Sequence, residues 1–165
     1  MSDPIRLFVY GTLKPGEWAF ESLCGGQVMA MAPAIAAGRL YHLPQGYPAL
    51  SLETGWVQGV VLSLPITLLA AIDHFEGYDP HQGEQSEYQR QWRPIYHPDH
   101  TPFASAWLYT MTQDQIQALG GEWLPQGIWS HSQGLTGSKS NHIPTLQFLE
   151  KPGSVGGCHG QEVSR

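Results

Sequence analysis

Apolar residues in this chain recur mostly at alternate positions or in short runs, the periodicity of strands, and one segment carries a helical repeat. Ile5 to Tyr10 is a short apolar run and predicts the first strand. Glu17 to Leu23 predicts a short helix with Trp18 and Leu23 on its inner face, ending at Gly25-Gly26. Small and apolar residues dominate from Gln27 to Leu43. That stretch predicts either a strand pair or one bent strand with Gly38 at a bulge. Pro44 to Pro48 form a turn, Ala49 to Leu52 resume extended structure, and Glu53-Thr54-Gly55 predict another turn. Trp56 to Leu64 has the profile of a well-buried strand.

The helical repeat falls between Pro65 and Glu76. Proline is preset for the first turn, and Leu68, Ile72 and Phe75 share one face with Leu69 beside them. Gly77 can supply a left-handed stop. After a polar, acidic loop from Asp79 to Glu87, Tyr88 to Tyr96 alternates as a strand and should pair with Phe103 to Met111 across a turn. Thr112 and Gln115 have capping-box spacing, which predicts a brief helix to Leu119. Five or six strands with short helices and frequent turns predict an α+β fold: a small, partly open β-barrel with helices packed on it, spanning residues 1–129. From Ser130 onward glycine and serine are frequent and apolar residues scattered, which predicts a flexible or loosely docked tail. Ile143 to Leu149 is the one stretch there that could add a strand.

Composition agrees with that reading. The 165 residues suffice for one domain with a real core, and 19 glycines and 13 prolines favour turns over long helices. A formal net charge of −6 argues against nucleic acid or an anionic membrane as partner. No early basic-and-apolar segment resembles a signal peptide, and no apolar run is long enough to cross a bilayer, so a cytoplasmic location is expected. Cys24 and Cys158 lie far apart and outside any metal spacing; two reduced thiols are the favoured reading over a disulfide. His97 and His100 lie in His-Pro-Asp-His, a turn signal, and read as a solvated hairpin tip. No metal and no cofactor are assigned.

Two places carry candidate chemistry. The first strand breaks abruptly into Gly11-Thr12-Leu13-Lys14-Pro15-Gly16. A strand ending in a Gly-Thr turn presents successive backbone N–H groups with little side-chain obstruction, a cradle for an anionic or carbonyl oxygen. Nucleotide readings fail on spacing. A phosphate loop requires Lys and then Ser or Thr after its second glycine, whereas Lys14 precedes Gly16. A dinucleotide fingerprint needs a third glycine. The second place is Glu76, at the end of the mid-chain helix, where the carboxylate meets the negative end of the helix dipole. Facing an apolar cavity, it would be suited to taking and returning protons near neutral pH. Facing water, it would be an ordinary helix-end residue.

Taken together, Tyr10-Gly11-Thr12-Leu13, Gly38-Arg39-Leu40-Tyr41, Gly46-Tyr47-Pro48-Ala49, Asp73-His74-Phe75-Glu76-Gly77, Tyr88-Gln89-Arg90 and Trp107-Leu108-Tyr109 resemble the γ-glutamylcyclotransferase-like family. The likeness looks closest to the branch with γ-glutamylamine cyclotransferase and AIG2-like proteins. Gly127-Ile128-Trp129 resembles the family's closing Gly-Asp-Trp, with isoleucine in place of aspartate, and the likeness spans roughly residues 5 to 129. The resemblance implies a compact barrel with a cavity between the Gly11 loop and Glu76. There the α-amine of a γ-glutamyl amine or peptide attacks its own γ-carbonyl, giving 5-oxoproline and a free amine. It implies Glu76 as general acid and base, the N–H groups of Gly11, Thr12 and Leu13 as oxygen ligands, and Tyr10 and Tyr109 as wall residues. A small-molecule γ-glutamyl substrate is the implied partner. A non-catalytic module that binds such a ligand on the same fold is the alternative.

Overall fold

The computed structural model describes residues 3–131. Residues 132–165, which hold Cys158, most of the expected tail and the stretch from Ile143 to Leu149, lie outside them. Six strands, β1 (Ile5–Val9), β2 (Ala30–His42), β3 (Pro48–Leu64), β4 (Gln89–Tyr96), β5 (Pro102–Thr110) and β6 (Glu122–Leu124), alternate with three short helices, α1 (Trp18–Leu23), α2 (Leu69–Glu76) and α3 (Gln113–Leu119). The strand order is β3-β1-β5-β4-β2-β6, and β2 also pairs with β3, so the hydrogen bonds close into a ring with β6 appended. β1 lies antiparallel to β3 but parallel to β5, making the sheet mixed. β2 meets β4 only at Ile35 and Ala36, against Tyr96 and Ile95. The expected partly open barrel is therefore a ring, without the even closure of a regular barrel.

β1 explains why the core has two parts. Its side chains alternate across the sheet, and both faces are covered. Leu7 and Val9 pack with Ala19, Phe20, Ile72 and Ile116 from the helices. Phe8 and Tyr10 point the other way, into the ring, among Leu40, Leu50, Val57 and Leu108. On α1 the buried residues are Ala19 and Phe20, with Trp18 and Leu23 flanking them, partly covered, rather than forming the inner face themselves. Cys24 follows in the same layer with no exposed surface, and burial pushes its thiol up to about 11.

The stretch from Ala30 is one bent strand, the second of the two expected arrangements, in a long hairpin with β3. Glu53-Thr54-Gly55 is not a turn. β3 continues through it, with Ala37 opposite Trp56 but Arg39 opposite Ser51, so four β3 residues from Leu52 to Gly55 face Gly38 alone. The physical reason is the corner itself: Gly38 and Gly55 take φ of 150° and 148°, and a Cβ on Gly38 would lie 2.7 Å from the Ser51 carbonyl oxygen. Turn-forming composition marks a bulge here.

Glu53 ties that corner. It accepts hydrogen bonds from the Tyr41 hydroxyl at 2.7 Å and from the Ser51 hydroxyl, and Arg39 Nη1 lies 3.8 Å away. Burial raises its carboxyl pKa, but the hydrogen bonds from Ser51 and Tyr41 and the Arg39 charge outweigh it and leave the value lowered. A carboxyl lowered by folding stabilises the native state above its unfolded pKa, and that gain is lost as pH falls through the folded value. Glu53→Gln is accordingly expected to cost about 1 kcal/mol at neutral pH, with the gap from wild type closing as both are acidified below the carboxylate range. Denaturant melts across a pH series read this out.

The mid-chain helix begins later than Pro65. A single 3-10 turn over Ile66–Leu68 precedes α2, and Pro65 itself is extended, with ψ of 138°. No side chain caps this end, so the backbone tightens to satisfy its own first turn. Ile72 is fully buried with Leu68 and Phe75 partly so, and Gly77 closes the helix at φ 70°, both as the sequence indicates. The Thr112–Gln115 capping box forms as expected. The His97–Thr101 turn joins β4 to β5, with His100 at φ 71°.

Candidate active site

The loop after β1 and the end of α2 meet. One narrow cavity is lined by Tyr10, Gly11, Thr12, Leu13, Glu76 and Tyr109, together with Phe8, Val9, Tyr47, Pro48 and Tyr88. All six residues singled out from sequence are thus in one place. Gly11 is there because nothing larger fits: a Cβ would come within 2.5 Å of Pro48 Cγ. The loop is held by its own turn, Lys14 N–H to the Gly11 carbonyl at 3.0 Å, and by Ala19 N–H to the Thr12 carbonyl at 3.2 Å. The N–H groups of Gly11, Thr12 and Leu13 donate to no acceptor among the described residues.

Lys14 turns away from the cavity and donates to the Trp129 carbonyl. Burial lowers its pKa, with Glu17 opposing. Trp129 is wholly buried and its indole N–H donates to His42 Nδ1 at 3.0 Å. The Glu17 carboxylate accepts from the His131 N–H at 3.3 Å. Residues 129 to 131 therefore clamp the loop at two points.

Glu76 is only 9 % exposed and shares the cavity with four tyrosines. Each phenol's proton goes to a protein acceptor: Tyr10 to the Tyr109 carbonyl and Tyr88 to the Pro48 carbonyl, both at 2.6 Å, Tyr47 to Glu87 Oε1 at 2.7 Å, and Tyr109 to Asp73 Oδ1 at 2.6 Å. Burial pushes all four phenols well above their usual pKa, and the Glu76 charge adds to the shift in each. They stay neutral at any physiological pH. Among the described residues no lysine or arginine lines the cavity. The lining thus combines the backbone donors of Gly11–Leu13 with a carboxylate and neutral phenols, so a ligand carrying both an oxygen and an ammonium matches it. Among the described residues no group of His, Cys, Asp and Glu is arranged to hold a metal ion.

Sequence reasoning passed over Tyr47 and Tyr88 as wall residues, although both lie in motifs it quoted. Their signal was an aromatic beside a turn or strand start, and only long-range pairing brings them to the cavity. No helix among the described residues is long and apolar enough to cross a membrane.

A ring-closed mixed sheet with a donor loop facing a buried glutamate defines a class of small cavity-bearing α+β proteins. Residues 7–131 match the family model described as gamma-glutamyl cyclotransferase, AIG2-like, and the chain belongs to that family. No curated protein matches the sequence. Among solved structures, an AIG2-like protein from Mus musculus is similar over 87% of this chain and 99% of its own, at 20% identity and TM-score 0.60. The protein ytfP from Escherichia coli is similar over 76% of this chain and 96% of its own, at 27% identity and TM-score 0.52. YkqA from Bacillus subtilis shares the fold at 20% identity and TM-score 0.57 over 81% of this chain, which spans only 42% of that one.

Proposed function

We propose that the protein is a cyclotransferase that converts a γ-glutamyl amine or γ-glutamyl peptide to 5-oxoproline and a free amine. The observation that carries this is the shared cavity: Glu76 and the Gly11–Leu13 backbone line the same small space. The substrate's α-ammonium gives a proton to Glu76, exposing the nitrogen lone pair. That nitrogen bonds to the γ-carbon of the same glutamyl unit, Glu76 passes its proton to the departing amine nitrogen, and the bond from the γ-carbon to that nitrogen breaks. The ring nitrogen gives its second proton to Glu76, which hands it on to the released amine, leaving a lactam N–H and an ammonium. The nucleophile is part of the substrate, so the protein needs no Ser or Cys in that role.

Folding the glutamyl chain into a near-ring conformation makes the attack intramolecular, which lowers a barrier by up to about 7–11 kcal/mol where alignment is good. Backbone N–H groups of Gly11, Thr12 and Leu13 would hold oxygens that gain charge. Losing one such donor typically costs about a hundredfold to a thousandfold. The test is to incubate the protein with γ-glutamyl amines, γ-glutamyl dipeptides and glutathione and assay 5-oxoproline. Product from at least one class is expected. Saturable binding with no product from any of them would favour a non-catalytic binding module.

A further inference from the structure

Asp73 and Arg90 belong to two of the quoted motifs, and the fold joins them behind the cavity. Asp73 lies on α2 one turn before Glu76 and is 8% exposed. Its Oδ1 accepts from the Tyr109 hydroxyl at 2.6 Å and its Oδ2 from Arg90 Nη1 at 2.5 Å. Arg90 stands on β4 directly opposite Tyr109 on β5. Its guanidinium lies 4.7 Å from the Trp107 ring centroid and 5.2 Å from that of Tyr78, and its Nε is buried with no hydrogen-bond partner among the described residues. Tyr78 in turn packs edge-on to Tyr109 at 6.5 Å. Beyond Tyr109 the connection continues, because the Tyr109 carbonyl accepts the Tyr10 hydroxyl, which accepts the Leu50 N–H at 3.3 Å. One line of contacts therefore runs from the sheet, through α2, to two walls of the cavity.

We infer that Arg90 is a positioning residue for the Glu76 site, acting through Asp73 to fix both the rotation of α2 and the Tyr109 ring. The inference rests on the cyclotransferase reading for its catalytic readout. α2 has only eight residues, too few to be an independently stable helix, so its setting comes from tertiary contacts. Ile72 anchors it by apolar burial, which is non-directional and permits the helix to roll. The Asp73 carboxylate, gripped on one oxygen by Arg90 and on the other by Tyr109, is directional and does not. Rolling α2 would carry Glu76, one turn on, away from the Gly11–Leu13 edge. The flat guanidinium between two aromatic rings also explains arginine here, since a lysine ammonium cannot stack in the same way.

The test compares Arg90→Lys, Arg90→Met and Asp73→Asn with wild type on whichever substrate the panel identifies, reading kcat, KM and melting temperature. The expected result is a kcat about tenfold to a hundredfold lower, the size of effect that displacement by an ångström produces, with KM changed much less and Arg90→Lys only partly rescued. A wild-type kcat in Arg90→Lys or Asp73→Asn at a temperature where each is folded would overturn the inference. Crystal structures of the same variants give a readout that does not need turnover. A Glu76 carboxylate displaced from its wild-type place in the cavity supports the positioning role, and an unmoved α2 overturns it. Wild-type protein giving no 5-oxoproline would instead count against the proposed reaction, leaving the positioning role to be decided by those structures.

Discussion

Glu76→Gln is expected to lower 5-oxoproline formation by about a hundredfold to ten-thousandfold in kcat, the range that a positioned acid–base group contributes. Glutamine keeps the size and shape of the side chain and one acceptor oxygen, exchanging the other for an NH2 donor, so the cavity lined by Tyr10, Tyr47, Tyr88 and Tyr109 should retain its shape. What it removes is the proton acceptor. Substrate affinity should fall much less than kcat if the Gly11–Leu13 backbone carries most of the binding, and melting temperature should stay close to wild type. Undiminished turnover would transfer the acid–base role elsewhere. The four phenols are poor substitutes, because burial holds each of them well above its usual pKa with its proton already donated within the protein.

Trp129→Ala carries the largest expected effect on stability. The side chain has no exposed surface and packs in the ring with Tyr10, Leu40 and Leu50. Truncating a buried tryptophan typically costs about 3–5 kcal/mol, a large share of the roughly 5–15 kcal/mol that holds a domain folded. The indole also donates to His42, which would be left without that partner. A fall in melting temperature on the order of 10 °C follows for a chain of this size, measurable by calorimetry or circular dichroism. Activity should fall further than unfolding alone explains, since the Trp129 backbone anchors Lys14 and hence the donor loop. Trp129→Phe should recover most of the stability. An unchanged melting temperature would mean that the segment from 127 to 131 is not docked in the core in solution.

Much of this was legible along the chain because it is local. The Gly77 stop, the Thr112–Gln115 box and the alternation of β4 and β5 each depend on residues a few positions apart. At the β2–β3 corner the bulge at Gly38 was legible, but Glu53-Thr54-Gly55 was misread as a turn for a physical reason: glycine and polar residues serve a bulge as well as a turn, and only the partner strand decides between them. β6 was missed because its three residues gain strand character only by pairing with Leu40, Tyr41 and His42. The site divides the same way. The donor loop and Glu76 stand out as breaks in pattern, whereas Tyr47, Tyr88 and the Asp73–Arg90 pair acquire meaning only when strands distant in sequence come together.

The measurement that bears most directly on the central claim is a crystal structure of Glu76→Gln bound to a γ-glutamyl amine. The account predicts ligand oxygens within about 3 Å of the Gly11, Thr12 or Leu13 nitrogens, with the ligand's α-nitrogen at a similar distance from the side chain at position 76. A ligand seated away from that cavity, or one that reaches the loop while its α-nitrogen points to solvent, would contradict it.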